Sequence, residues 1–176
     1  MKAGNIFLVG LMGAGKTTVG RLLARRLKLR FYDSDQEIER RCGVKVPLIF
    51  EIEGEAGFRA REEQLVAELT ALEGIVLATG GGAVLAVASR RDLSARGTVV
   101  YLHARPEDLY ERVRQDRNRP LLATADPLSR LRELHAERDA LYREVAHLIL
   151  DTGAQSAQVL ARELLDKLQE RWKASA

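Results

Sequence analysis

The sequence predicts an α/β fold, a five-stranded parallel sheet flanked by helices, and three observations carry that reading. Five short runs, Ile6–Val9, Phe31–Asp33, Ile75–Ala78, Thr98–Leu102 and His147–Asp151, are continuously apolar rather than alternating. That pattern belongs to parallel strands covered on both faces. Segments with helical spacing separate the runs, as strand–helix alternation around one sheet requires. A glycine-rich loop, Gly10-Leu11-Met12-Gly13-Ala14-Gly15-Lys16-Thr17-Thr18, joins the first strand to the first helix.

Each helix declares itself by its faces. Val19, Leu22, Leu23 and Leu27 form an apolar stripe, with Arg21, Arg25, Arg26 and Lys28 opposite. Gln36 to Cys42 reads as a short helix after the second strand. Leu65, Val66, Leu69 and Leu72 line one side of the segment from Glu62 to Leu72. Near the C-terminus Val159, Leu160, Leu164, Leu165, Leu168 and Trp172 repeat at the helical period. The stretch Arg112–Leu128 is rich in arginine and carries Pro120 and Pro127, so it reads as a long functional loop or lid.

The 176 residues read as one domain, 1–176, with no repeat, linker or low-complexity tract. With 46% hydrophobic and 30% charged residues the composition is that of a globular protein. No apolar stretch approaches the roughly 20 residues of a membrane span, and no signal peptide is expected before the first strand. The lone Cys42 excludes an internal disulfide, fits a reducing cytoplasm and reads as an inert thiol. Net charge is only +3, the arginines are spread over helices and aromatics make up 5%, which argues against nucleic-acid binding. His103, His135 and His147 show no metal-ligand spacing and read as structural or surface residues. A monomer is the default expectation.

The chemistry starts at the loop, where Gly10, Gly15, Lys16 and Thr17 meet the pattern G-x-x-x-x-G-K-[ST] between a strand and a helix. Glycines let successive backbone amides turn inward around phosphate oxygens, and the following helix aims its N-terminal dipole at the same point. Lys16 would reach the β- and γ-phosphates, and the Thr17 hydroxyl would ligate Mg²⁺. The second strand ends in Asp33-Ser34-Asp35, at the end of the sheet where ligands bind, so both carboxylates are placed near the loop. Capping is the competing role: Ser34 and Glu37 form an S-x-x-E box that accounts for those two residues but leaves the flanking carboxylates unexplained. Arg59 and Glu62, three apart, form either a surface ion pair or a guanidinium oriented toward an anion. Gly80-Gly81-Gly82 after the third strand would let a ligand lie against the backbone.

These motifs, with Ile49-Phe50-Glu51, Gly54-Glu55, Phe58-Arg59, Arg119-Pro120-Leu121-Leu122 and Arg138 with Leu141-Tyr142, resemble the shikimate kinase family and follow its order over nearly the whole chain. The resemblance implies a P-loop kinase fold with a mobile lid, an acceptor-binding region at about 33–62 and a lid at about 112–128. It implies phosphoryl transfer from ATP to the 3-hydroxyl of shikimate, a step toward chorismate and aromatic amino acids, in the cytoplasm. By similarity Gly13, Ala14, Gly15, Lys16, Thr17 and Thr18 would hold the nucleotide, with Arg112 against adenine and Arg119 closing onto the phosphates. Asp35 would hold the acceptor hydroxyl as base or orienter, and with Lys16 and Arg119 would be catalytic. Arg59, Gly80, Gly81, Gly82, Arg138 and Asp35 would hold shikimate. Thr17 would ligate Mg²⁺ directly and Asp33 through water. The segment Gly153 to Ala157 resembles the family's adenine-side loop but lacks the proline often found there. Gluconate-type and nucleoside monophosphate kinases share the loop but do not ordinarily combine the later motifs in this order. A guanine switch would show an N-K-x-D element, which this sequence lacks.

Overall fold

Ile6 to Val9 are fully buried, and their strand, β1, occupies the centre of a five-stranded parallel sheet. The computed structural model describes residues 4–175; residues 1–3 and 176 of the expected domain lie outside the described part. Strand order is β2-β3-β1-β4-β5, with β2 at Arg30–Asp33, β3 at Ile75–Ala78, β4 at Thr98–His103 and β5 at Leu148–Asp151. β1 pairs with β3 in the register Ile6 to Val76 and with β4 in the register Ile6 to Thr98. Burying both faces removes every apolar side chain of β1 and β3 from water, about 1.5–3 kcal/mol for each large one.

Among the described residues seven helices cover the sheet: α1 (Lys16–Leu27), α2 (Ser34–Cys42), α3 (Val46–Thr70), α4 (Val87–Arg96), α5 (Pro106–Val113), α6 (Pro127–Val145) and α7 (Ala157–Ala174). α1 packs on α7, while α4 packs on α3, α6 and β4, and α5 packs on α6. α3 is interrupted at Gly54, whose φ of 73° and ψ of 177° leave the helical region. The chain leaves β1 for β2 and β3 on one side, then crosses to β4 and β5 on the other. The loop after β1 therefore sits at the reversal point, where an open α/β sheet leaves a crevice.

Several boundaries differ from the sequence expectation, each for a local reason. β2 begins at Arg30 and β4 runs on to His103, because backbone pairing with β3 and β5 extends past the apolar residues. His147 stands outside β5; its ring Nδ1 accepts from the Val99 amide at 3.0 Å. α2 starts at Ser34 because Asp33, not Ser34, is the cap: its carboxylate accepts from the Gln36 amide at 3.0 Å. The S-x-x-E assignment is thus overturned, since Ser34 Oγ accepts from the Gly80 amide and Glu37 pairs with Arg40 and Arg41. Val159 is exposed, and Leu160, Leu164 and Leu168 with Ala161 form the buried stripe of α7. The stretch expected as a lid is shorter than residues 112–128: Arg112 belongs to α5, Pro127 opens α6, and one 3₁₀ turn, Pro120–Leu122, lies between. No helix among the described residues is long and apolar enough to cross a membrane.

Candidate active site

A cavity of about 460 Å³ opens at the C-terminal end of the sheet, between the loop after β1, the start of α2, the far half of α3, Gly80–Gly82 and the segment before α6. Gly15, at φ 93°, adopts a left-handed conformation that a Cβ would strain, and Lys16 opens α1 directly behind it. Lys16 is buried, and its ammonium donates to Gly10 O at 2.7 Å and Leu11 O at 2.8 Å. Burial, then the neighbouring Arg119 charge, lowers its pKa to about 8. The Thr17 hydroxyl donates to Asp33 Oδ2, whose other oxygen caps α2. One carboxylate thereby joins the phosphate loop to the second strand.

Asp35, the second residue of α2, lines the site close to Glu62. Burial first, and then the Glu62 and Asp33 carboxylates, push its pKa up to about 7, against the pull of Lys16 and Arg119. Its Oδ1 is buried without a hydrogen-bond partner, as is Glu62 Oε2. A Cβ on Gly80 would lie 2.6 Å from both of those oxygens, so glycine is what lets two carboxylates close over this backbone. The other Glu62 oxygen accepts from Arg59 Nη1 at 2.7 Å, and burial raises the Glu62 pKa against that pairing. With the Glu62 side chain only 3% exposed, this is no surface ion pair but a guanidinium fixed from behind by a buried acid.

Arg138 projects from α6 into the same cavity and is 2% exposed, yet its Nε and Nη1 have no partner. A buried, unpaired guanidinium costs several kcal/mol unless an anion meets it. Tyr142, one turn further along α6, donates its hydroxyl to Gly81 O and so ties the glycine turn to the helix that carries Arg138. Arg119 also lines the cavity, held at its Nε by Asp116 at 3.0 Å.

The expected site residues divide plainly. Gly13, Gly15, Lys16, Thr17, Thr18, Asp33, Asp35, Arg59, Gly80, Gly81, Gly82, Arg119 and Arg138 all line this cavity. Ala14 is buried beneath the loop. Arg112 stands outside the cavity, where it donates to Gly13 O at 3.0 Å and Gly153 O at 2.8 Å, joining the phosphate loop to the segment after β5. Gly80 has its amide committed to Ser34, so it serves by allowing close approach. Asp116, Asn118 and the Tyr142 anchor were not read from the sequence as parts of the site; Tyr142 reaches Gly81 across the fold, whereas Asp116 holds Arg119 three residues on and accepts from the Asn118 amide. The rings of His103 and His135, from β4 and α6, lie 5.7 Å apart.

A phosphate loop at the sheet's reversal point, a lysine and an arginine aimed into its cavity, and a carboxylate poised near neutrality define a P-loop phosphotransferase. Family comparison gives the particular kind. The profile described as "Shikimate kinase" matches residues 12–169. The chain is 62% identical to a shikimate kinase of Thiobacillus denitrificans, over 95% of this chain and 91% of that protein. It is 61% identical to one of Ralstonia nicotianae, over 96% and 89%. Its structure matches that of a shikimate kinase from Acinetobacter baumannii in complex with shikimate, with a TM-score of 0.94 and 50% identity over 96% of this chain and 94% of that one. The chain belongs to the shikimate kinase family and is an ATP-dependent phosphotransferase.

Proposed function

We propose that this chain transfers the γ-phosphoryl group of ATP to the 3-hydroxyl of shikimate inside the 460 Å³ cavity, with Asp35 receiving the hydroxyl. The observation that carries the reading is the set of buried polar atoms left without partners in one cavity: Asp35 Oδ1, Glu62 Oε2, and Nε and Nη1 of Arg138. They match a small acid that is an anion at one end and an alcohol at the other. Arg59 and Arg138 take the carboxylate, since a guanidinium can bind one through two parallel hydrogen bonds. The Gly80–Gly82 turn lets the ring lie close to the backbone. A Cβ on Gly82 would collide with the Arg59 guanidinium, so that glycine keeps the arginine in place.

Phosphoryl transfer leaves a protein little covalent work, so positioning and charge do most of it. Lys16 exchanges its bonds to Gly10 O and Leu11 O for phosphate oxygens, and remains protonated there because the phosphates oppose the effect of burial. Asp35 accepts a hydrogen bond from the acceptor hydroxyl and takes its proton as the new O–P bond forms. A pKa of about 7 suits a group that must be ionised to start and protonated to finish. Arg119 adds positive charge when the segment before α6 closes, and closure excludes the water that would hydrolyse ATP.

Mg²⁺ suits the donors present, a hydroxyl on Thr17 beside a carboxylate on Asp33, because it prefers hard oxygen ligands and keeps several waters. When bound it supplies charge neutralisation between the phosphates. The whole chain acts as one domain, and a monomer in the cytoplasm fits the single cysteine and the complete set of polar groups within one cavity. The test is ADP release measured side by side with shikimate, gluconate and AMP. Turnover with shikimate alone is expected; turnover with AMP or gluconate and none with shikimate would contradict the reading.

A further inference from the structure

We propose that His103, His135 and Asp139 form a second cation site, for a borderline divalent ion of the Zn²⁺ class, apart from the phosphate-transfer cavity. One ligand atom from each residue lies within 4.8 Å of the other two. The sequence hides this grouping. His135 and Asp139 are one turn apart on α6, whereas His103 ends β4 and comes to them only through the packing of that helix on the sheet. None of the three lines the cavity that holds Asp35 and Lys16.

The surroundings are those of a ligand set. His135 Nε2 is buried with no hydrogen-bond partner and stands 3.7 Å from Asp139 Oδ1, beyond bonding range, so its lone pair is available. His103 Nδ1 lies 2.7 Å from Asp151 Oδ1. That carboxylate favours a proton on Nδ1 and leaves Nε2 as the ligand nitrogen, the arrangement that raises the basicity of metal-binding histidines. Asp139 is oriented in turn: Tyr101 donates to its Oδ1 at 2.8 Å and Arg143 to its Oδ2 at 2.8 Å. The Tyr101 bond leaves Oδ1 a second lone pair for an ion, while the Arg143 guanidinium beside the group opposes binding. Two imidazoles and a carboxylate select Zn²⁺ over Mg²⁺, and water completes the tetrahedron. Ligand atoms about 2 Å from an ion sit about 3–3.5 Å apart, so small side-chain rotations draw the three together.

Zn²⁺ titrated into the full chain with Mg²⁺ in large excess, followed by calorimetry, tests this. One saturable Zn²⁺ site is expected, weakened at least about tenfold in His103→Gln, His135→Gln and Asp151→Asn. A readout that needs no variant is the imidazole ¹⁵N spectrum of the wild-type chain, which holds only three histidines. Zn²⁺ should shift His103 and His135 and leave His147 in place. No saturable binding, undiminished binding in both histidine variants, or a response of His147 alone would overturn the proposal.

Discussion

Asp35 shows how one residue's surroundings set both stability and chemistry. In the unfolded chain its carboxyl titrates at the ordinary 3.8, and in the fold at about 7. Between those values the folded state holds a proton that the unfolded state has lost. Stability therefore declines as pH rises through that window and does not recover above it. Asp35→Asn removes the penalty, so by urea unfolding the variant should be more stable than wild type at pH 8, by at most about 4 kcal/mol, and equal to it below pH 3.8. Its turnover should fall about 10²–10⁴-fold with ATP affinity near normal. The wild-type kcat/KM for shikimate should fall about tenfold per unit as pH drops below about 7. Arg138→Ala deletes the unpaired guanidinium and should weaken shikimate binding about 10–100-fold, as befits hydrogen bonds between charged groups, while ATP binding measured in parallel stays close to wild type.

At the scale of elements, how much was legible depended on whether a signal was local. The phosphate loop could be read at once, since its glycines shape their own turn and its lysine bonds to carbonyls five and six residues back. The five strands were legible because burial on both faces leaves a continuous apolar run, and only their ends shifted, outward where pairing outlasted the apolar residues and inward at His147. The start of α2 misled for a physical reason. Ser34 has the right spacing for a capping box, but the Gly80 amide reaches it from a distant turn and Asp33 takes over the cap. Tyr142 acts across the fold, so nothing near it in the sequence marks its partner, the Gly81 carbonyl. The nearness of His103 and His135 was likewise not legible, since strand and helix bring them together. The segment between α5 and α6 carries a half-buried Arg119 whose guanidinium is held by Asp116. Arg119→Met should lower kcat about 10³-fold in the standard kinase assay while the thermal midpoint stays near wild type, because the side chain stabilises transferring charge and not the core. Gly82→Ala should raise the KM for shikimate at least about tenfold, because a Cβ there displaces the Arg59 guanidinium from the cavity.

Across the whole molecule the sheet's order explains why such separated residues meet. β1 delivers the phosphate loop, β2 delivers Asp33 and Asp35, and β3 delivers the glycine turn, all at one end of the sheet. α3 and α6 then bring Arg59 and Arg138 in from the sides, and the guanidinium that is a stability cost to the free protein becomes the acceptor's anchor. Binding should thus stabilise the fold: shikimate at 100 times its Kd contributes about 2.7 kcal/mol, read as a rise in the thermal midpoint that Arg138→Ala loses at the same concentration.

The central claim is that one cavity aligns an acceptor alcohol, held by Asp35, with the terminal phosphorus of a nucleotide held by Lys16. A crystal structure of the chain with shikimate and a non-hydrolysable ATP analogue measures that alignment. The account predicts the 3-hydroxyl within about 3 Å of Asp35 and facing the γ-phosphorus, with the carboxylate on Arg59 and Arg138. A ring bound with its carboxylate toward the phosphates, or its 3-hydroxyl turned away from Asp35, would contradict it.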